Sequence, residues 1–285
     1  MSLGENRAAS LRLLFFGLPA GVSALVLRGL LEDGHDVAGM VVPAAAAPHL
    51  LPAPAPPVSR LAPPAASPAL PLLGDEPAGA LDVAWAAGLP VLAVSDFAHA
   101  ETMAALVDFR ADVACVACFT RRIPAAVLRL PRLGFLNIHP SLLPDYRGPT
   151  PRFWQLRDGA PAGVTVHYLD EGLDTGDIAA QTAVPLPDGI AGPEADRLLT
   201  EAGLDLLRVV LAQLAEGDAR RQPQAGGSYQ GFPTAADFML STDWPARRAF
   251  NFMRGTADWG RPYTVEVAGR PVRLAVADAY NDLTF

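Results

Sequence analysis

The chain has 285 residues, of which 51% are hydrophobic and 18% are charged, so it can bury a sizeable core and is not a disordered segment. Its 22 basic residues are all arginines and stand against 30 acidic residues, which gives a formal net charge of −8 at pH 7. This charge weighs against nonspecific binding to nucleic acid, because phosphates attract basic surfaces. Two cysteines exclude a disulfide framework and favour a reducing, cytoplasmic location.

Residues 11–42 predict the first unit of a parallel α/β sheet. LRLLFF (11–16) is typical of a buried strand, residues 21–33 predict an amphipathic helix, and HDVAGMVV (35–42) predicts a second strand. The uncharged run over 13–27 is too short to span a membrane and is interrupted by glycine and proline, so a secretory signal is the less favoured interpretation. The turn lacks the G-x-G-x-x-G pattern, and no acidic residue ends the second strand, which weighs against a dinucleotide site.

The remaining sequence predicts more strands and helices, followed by a smaller unit. Residues 43–74 contain ten prolines and ten alanines, so we expect an irregular surface segment there. Residues 11–217 are assigned to an α/β domain with a Rossmann-like parallel sheet, which ends with a helix over roughly 193–216. Residues 218–230 are assigned to a linker, and residues 231–285 to a short β-rich subdomain with a helix and a hairpin that turns at Gly269.

Two patterns resemble metal sites but do not meet the requirements of one. Cys115 and Cys118 have the C-x-x-C spacing, yet both fall in an apolar strand pattern, so we interpret them as buried structural residues. The acidic segment 170–177 does not match the ligand spacing of a calcium loop. No metal site is predicted.

The most informative segment is FLNIHPSLLPDYRGP (135–149), which begins on a predicted strand. Asn137 and His139 are two residues apart, so they point to the same face of the strand, whereas Leu136 and Ile138 point to the other. An amide and an imidazole at the end of a buried strand are costly unless they meet a polar group. The carboxyl ends of parallel strands are where open α/β sheets bind ligands. A satisfied core histidine and a turn-forming asparagine are the alternative.

NIHPSLLPDYRG (137–148), followed by GVTVHYLDEGLDTGDI (163–178), resembles the formyltransferase family that uses 10-formyltetrahydrofolate. That family includes enzymes that formylate methionyl-tRNA, glycinamide ribonucleotide and amino sugars. The similarity begins at FFGLPAG (15–21) and covers the N-terminal two thirds of the chain, with a fainter similarity in the tail. The resemblance implies formyl transfer from 10-formyltetrahydrofolate without a metal or redox cofactor.

The resemblance also implies the roles of three side chains. When an amine attacks a folate-borne formyl group, a negatively charged oxygen develops and protons must move. Asn137 would donate a hydrogen bond to that oxygen, and His139 would stabilise it further or carry a proton. Asp174 matches the aspartate that would hold the imidazolium and a bridging water and help to deprotonate the amine.

Folate binding is placed by the same resemblance in two loops, one after a strand that ends at Phe119 and one before Asp174. Arg147 and Arg152 are predicted to contact the acceptor, and a structural role is the alternative for Arg147. Arg121 and Arg122 stand where the methionyl-tRNA enzymes usually have apolar residues. The predicted folate-binding residues are Phe119, Thr120, Arg121, Arg122, Ile123, Asp170, Glu171, Gly172 and Leu173.

Three features depart from the methionyl-tRNA enzymes of this family. The segment after the second predicted strand has Arg60 as its only charged residue before Asp75, where those enzymes carry a basic loop that meets the tRNA. Residues 231–285 hold six arginines and six acidic residues, where those enzymes have a longer basic domain. Residue 140 is proline, where they usually have glycine. We therefore expect a small amine such as an amino sugar as acceptor, with initiator methionyl-tRNA as the alternative. Arg121, Arg122, Arg147 and Arg152 are the evident basic residues near the predicted site, and four such charges suit an anionic amine.

Two other functions remain open at this point. A hydrolase would pass the formyl group to water, and the sequence does not distinguish the nucleophile. A non-catalytic folate- or nucleotide-binding protein could keep the fold, although Asn137, His139 and Asp174 together weigh against it because such polar groups are costly to retain without use.

Overall fold

The structure is a computed structural model that describes residues 11–19, 21–51, 55–63, 79–277 and 279. These residues form an eight-stranded sheet with helices on both faces and a separate three-stranded sheet in the C-terminal subdomain. The predicted fold class is confirmed. The strands are β1 Arg12–Gly17, β2 Asp36–Pro43, β3 Val58–Leu61, β4 Val91–Val94, β5 Val113–Ala117, β6 Phe135–His139, β7 Gly163–Tyr168, β8 Ile178–Ala183, β9 Met239–Leu240, β10 Tyr263–Val267 and β11 Arg270–Leu274. The helices are α1 Val22–Glu32, α2 Ala80–Ala86, α3 Ala100–Val107, α4 Ala125–Leu128, α5 Pro151–Asp158, α6 Gly192–Glu216 and α7 Ala246–Gly255.

The large sheet has the strand order β3-β4-β2-β1-β5-β6-β7-β8. Strands β4, β2, β1, β5 and β6 are parallel, whereas β3, β7 and β8 are antiparallel to their neighbours. Strand β6 is therefore the last parallel strand, and its partner β7 returns in the opposite direction. This arrangement brings residues of β7 next to the end of β6, where the candidate site lies.

The alternation of side chains in β1 explains why the sequence LRLLFF is apolar throughout. Leu13 and Phe15 pack into one buried cluster with α1, α2 and α6, whereas Leu14 and Phe16 pack into a second cluster with α3 and α4. A strand covered on both faces needs apolar residues at every position. The N-terminal apolar run is thus a strand and a helix. No described helix is both long and apolar enough to cross a membrane.

The Pro/Ala-rich segment is less irregular than expected. Val58–Leu61 forms β3 and pairs antiparallel with β4, and two short 3₁₀ turns lie at Ala44–Ala46 and Pro48–Leu50. The expectation of irregular structure is wrong at β3, because VSRL has no proline and an edge strand needs ladder donors on one side only. Residues 52–54 and 64–74 of this segment lie outside the described residues.

The C-terminal subdomain packs on the large domain through α5. Phe153 of α5 is 1% exposed and contacts the rings of Phe238, Phe252 and Trp259. Strands β10 and β11 form the predicted antiparallel hairpin. The aromatic core of the subdomain therefore includes a residue of the domain to which it is attached.

Arg152 of α5 connects its own helix with helix α6 and with the C-terminal subdomain. Its side chain is 10% exposed and forms ion pairs with Asp196 of α6 at 2.7 Å and with Asp258 of the subdomain at 3.0 Å. It also donates to the carbonyl oxygen of Gly255. Two carboxylates thus neutralise a nearly buried guanidinium. These contacts give Arg152 a structural role, and its predicted contact with the acceptor stays a prediction.

We expect Arg152→Leu to destabilise the protein, because the two carboxylates would remain without their cation. Breaking a buried ion pair costs about 3–5 kcal/mol, and partial exposure of both carboxylates reduces our expected loss to about 2 kcal/mol. Urea titration of the free energy of unfolding measures this loss. The matched control is Arg197→Leu, which removes fully exposed pairs with Glu194 and Glu201 and should change the free energy of unfolding far less. Equal losses in the two variants would contradict the prediction.

Candidate functional site

The candidate site lies where β6 ends and where the loop between β7 and β8 folds back over it. The Nε2 atom of His139 is 2.9 Å from the carbonyl oxygen of Tyr146, and its Nδ1 atom is 3.7 Å from Oδ2 of Asp174. Oδ1 of Asp174 is 3.6 Å from Nε2 of His167, and that nitrogen accepts a hydrogen bond from the amide of Asn137 at 3.0 Å. The structure therefore brings Asn137, His139 and Asp174 together.

The ring of His139 is enclosed between two acceptors. The residue is 4% exposed, with the Tyr146 carbonyl on one side and the Asp174 carboxylate on the other. Either ring nitrogen can carry a proton with an oxygen atom nearby to receive it. This placement suits a residue that takes up and releases a proton.

Asp174 is held in an unusual backbone conformation. Its φ angle is +56°, and its Oδ2 atom accepts a hydrogen bond from the backbone N–H of Gly148 at 2.9 Å. Gly148 has a φ of +113°, and a Cβ atom there would lie 2.1 Å from the carbonyl oxygen of Gln230. Glycine is therefore required at 148, and its backbone N–H group fixes one carboxylate oxygen of Asp174.

His167 is a site residue that the sequence analysis missed. It lies directly opposite Asn137 in the antiparallel pairing of β6 and β7, and its side chain is fully buried. Burial lowers its pKa from 6.5 to about 4, and the nearby His139 acts in the same direction. In the neutral ring, Nδ1–H donates to the carbonyl oxygen of Tyr168, which leaves Nε2 to accept from Asn137. The sequence did carry a signal for this role, because His167 is a single histidine within the largely apolar strand GVTVHY.

A narrow cleft separates the two loops predicted to bind folate. It has a volume of about 100 Å³ and is lined by apolar side chains together with Asn137 and Asp174. Of the predicted folate-binding residues, the lining includes Phe119, Arg121, Arg122, Ile123, Asp170, Gly172 and Leu173. Thr120 and Glu171 do not line it, although the carbonyl oxygen of Glu171 accepts a hydrogen bond from Arg122 across the cleft.

The predicted anion-binding arginines already have partners. Arg121 donates to the carbonyl oxygens of Val94 and Ser95 at the end of β4. Arg147 donates twice to Oε1 of Gln224, at 3.1 and 2.8 Å. These contacts occupy N–H donors of Arg121 and Arg147 but leave their positive charge, whereas Arg152 is neutralised by its two ion pairs.

A second cavity lies on the opposite side of β6. It has a volume of about 220 Å³, and its lining includes Ile138 and Pro140, which flank His139 in the sequence. Helices α5 and α6 supply apolar wall at Phe153 and Leu199, and they also place Arg152 and Asp196 at the cavity. Asn137 faces the narrow cleft, so neighbouring residues of β6 face separate spaces.

The two cysteines differ in their surroundings. Cys115 is buried in β5, where burial raises its thiol pKa to about 12, so it is an unreactive core residue as predicted. Cys118 follows β5 with a φ angle of +57° and is exposed at the second cavity. The prediction that both are buried is wrong for Cys118, because the strand ends at Ala117. Among the described residues, no group of three or more His, Cys, Asp or Glu is arranged to hold a metal ion.

Residues 67–198 match the family model described as formyl transferase. The methionyl-tRNA formyltransferase of Symbiobacterium thermophilum is 30% identical over 267 residues, which span 91% of this chain and 74% of the relative. A sugar N-formyltransferase from Shewanella sp. FDAARGOS_354 has a similar structure, with a TM-score of 0.62 and 18% identity over 95% of this chain and 99% of that one. HypX from Aquifex aeolicus, solved with tetrahydrofolic acid, has a TM-score of 0.59 and 18% identity over 93% of this chain and 37% of that one.

We expect His167 to make stability depend on pH. Between pH 6.5 and about 4, the unfolded chain binds a proton at this position that the folded chain excludes, so the free energy of unfolding falls as the pH falls through this window. His167→Gln keeps an acceptor for Asn137 but does not titrate, and its stability should fall less steeply. Urea titrations at a series of pH values compare the two slopes. Identical slopes would contradict the prediction, because they would show that His167 binds its proton equally well in the folded and unfolded chains.

Proposed function

Because the chain belongs to the formyltransferase family, we propose that it transfers a formyl group from 10-formyltetrahydrofolate to the primary amine of a small acceptor such as an amino sugar. The observation that carries this proposal is the meeting of Asn137, His139 and Asp174 at the end of β6. A cleft lies on one side of that strand and a cavity on the other. Asn137 and Asp174 line the cleft, whereas Ile138 and Pro140 beside His139 line the cavity, so an acceptor in the cavity would have to reach the three side chains around the end of β6.

The roles of the three side chains follow from their donors and acceptors. The folate supplies the formyl carbonyl. Asn137 donates an amide hydrogen to the formyl oxygen as negative charge develops there, and neutral His167 orients that amide by accepting its other hydrogen. His139 moves a proton, with the Tyr146 carbonyl and Asp174 on either side of the ring. Asp174 stabilises the protonated ring and draws a proton from the attacking amine.

The narrow cleft has the chemistry of a folate site. Phe119, Ile123 and Leu173 offer apolar surface for a heterocycle, and the described protein atoms leave the backbone N–H groups of Thr120 and Arg121 without an acceptor. These groups could pair with the polar edge of a pteridine. At about 100 Å³ the cleft holds only part of such a ring system. The exposed side chain of Arg122, which reaches the Glu171 carbonyl, would swing outward to admit the rest.

The second cavity supports a small acceptor. Its volume of about 220 Å³ and its largely apolar wall, with Arg152 and Asp196 as its charged members, fit a small sugar ring more readily than a polyanion. Of the four arginines near the site, Arg152 is neutralised by two carboxylates, whereas Arg121 and Arg147 donate to neutral oxygens and keep their charge. We therefore retain a small amine, and a negatively charged group on it stays compatible with the remaining arginines.

Initiator methionyl-tRNA is the second candidate acceptor. The relative that is 30% identical over 91% of this chain is a methionyl-tRNA formyltransferase. A largely apolar cavity of this size also fits a methionyl side chain. Against it, an acceptor stem needs several phosphate contacts, and the paired arginines near the site offer few.

The folate site predicts a gain in thermal stability when a stable analogue of 10-formyltetrahydrofolate is added, because the ligand binds the folded state only. Leu173→Asp places a charge on the apolar wall of the cleft at a residue that is 52% exposed, so the chain should fold and the gain should be lost. The matched control is Val209→Asp on α6, which is also 52% exposed and should keep the gain. An equal rise in Tm for both variants would contradict this placement of folate.

A panel of amines with 10-formyltetrahydrofolate tests the reaction itself. Tetrahydrofolate release is measured with free and nucleotide-linked amino sugars, initiator methionyl-tRNA and water alone. We expect a small amine to react, and expect His139→Ala and Asp174→Asn each to lower kcat about a hundredfold or more. The controls His35→Ala, before β2, and Asp205→Asn, on α6, should be unchanged. Turnover of methionyl-tRNA alone would select the second candidate, and normal turnover of either site variant would refute the assigned roles.

A further inference from the structure

We propose that Gln224, in the segment 218–230, is a positioning residue that holds Asp174 in its working orientation. This inference rests on the proposed function, since it concerns the same aspartate. The segment was predicted only as a linker between two units. In the structure it lies along the end of the site, with Gln222 paired to Ile178 and Tyr229 paired to Arg147.

The side chain of Gln224 makes four hydrogen bonds. Its Nε2 atom donates to the carbonyl oxygen of Asp174 at 3.0 Å and to that of Gly176 at 2.7 Å. Its Oε1 atom accepts from Nε and Nη2 of Arg147 at 3.1 and 2.8 Å. A primary amide has two N–H hydrogens and two lone pairs on oxygen, so the hydrogen-bonding capacity of Gln224 is fully used.

The partners determine which way this amide points. A guanidinium can only donate hydrogen bonds, so the oxygen of Gln224 must face Arg147. Carbonyl oxygens can only accept, so the nitrogen must face Asp174 and Gly176. Rotating the amide by 180° would place its NH₂ group against the guanidinium donors of Arg147 and its oxygen against the two carbonyl oxygens. Arg147 therefore fixes Gln224, and Gln224 fixes the loop.

Asp174 depends on such a restraint because of its backbone. A φ angle of +56° is unfavourable for a residue with a side chain, and the surrounding structure must hold it. The Gly148 N–H group binds the carboxylate of Asp174, and Gln224 binds the carbonyl of the same residue. With both ends restrained, the carboxylate stays 3.7 Å from His139.

The same segment also restrains the partner of His139. The Oγ atom of Ser228 accepts from the backbone N–H of Tyr146 at 2.9 Å, and the carbonyl oxygen of Tyr146 faces Nε2 of His139. The backbone of Arg147 adds hydrogen bonds to Ser228 and Gln230. These backbone contacts do not involve the Gln224 side chain, so a variant at 224 should leave the segment in place.

Gln224→Met tests the proposal, because methionine is similar in size and makes none of the four hydrogen bonds. Gln222→Met is the matched control, since Gln222 is two residues away, is exposed, and has a side chain bonded only to Arg220. We expect Gln224→Met to lower kcat about tenfold to a hundredfold, as small displacements of catalytic groups do, with little change in the KM for folate. Amide exchange at Gly148 should become faster in this variant, because that N–H group binds the Asp174 carboxylate. Gln222→Met should change neither quantity.

A double variant separates positioning from a purely structural role. If Gln224 acts through Asp174, adding Gln224→Met to Asp174→Asn should lower kcat no further, whereas independent effects would multiply. Unchanged Gly148 exchange and normal kcat in Gln224→Met would overturn the inference while leaving the proposed function intact, provided that Asp174→Asn is impaired. Normal turnover of Asp174→Asn would instead refute the proposed function, and the Gly148 exchange rate would still report whether Gln224 holds the loop.

Discussion

Strands β6 and β7 run antiparallel, with Asn137 opposite His167 and His139 opposite Thr165. Directly opposed residues share a face of the sheet, so this register places two imidazoles and an amide on one side. A shift by one residue would send His167 to the other face and leave the Asn137 amide without its acceptor. The narrow cleft, the loop that carries Asp174 and the hydrogen bond from Asn137 to His167 all depend on this one pairing.

The charges near the site are used mainly to hold the chain together. Arg121 ties its loop to the end of β4, Arg147 holds Gln224, and Arg152 joins α5, α6 and the subdomain. Arginine suits these tasks because its planar group donates in several directions at once. These contacts fix the positions of three guanidinium groups near the site.

Local patterns predict the features of this protein that depend on nearby residues. The apolar run of β1 and the two-residue spacing of Asn137 and His139 each follow from a few neighbouring positions. The resemblance to a known family adds Asp174. His167 and Gln224 escaped notice because their roles depend on contacts between distant segments, such as the 50 residues that separate Gln224 from Asp174. Strand β3 was missed because its proline-rich surroundings obscure a short edge strand.

Phe153 belongs to a helix of the large domain but packs inside the aromatic core of the C-terminal subdomain. Trp154, Trp244 and Trp259 surround that core, whereas Trp85 packs against the large sheet. Three of the four tryptophans therefore lie at the contact between the large domain and the C-terminal subdomain. Tryptophan fluorescence of this protein will be dominated by the docking of its tail, and melting of the large sheet will need a different probe, such as far-ultraviolet circular dichroism.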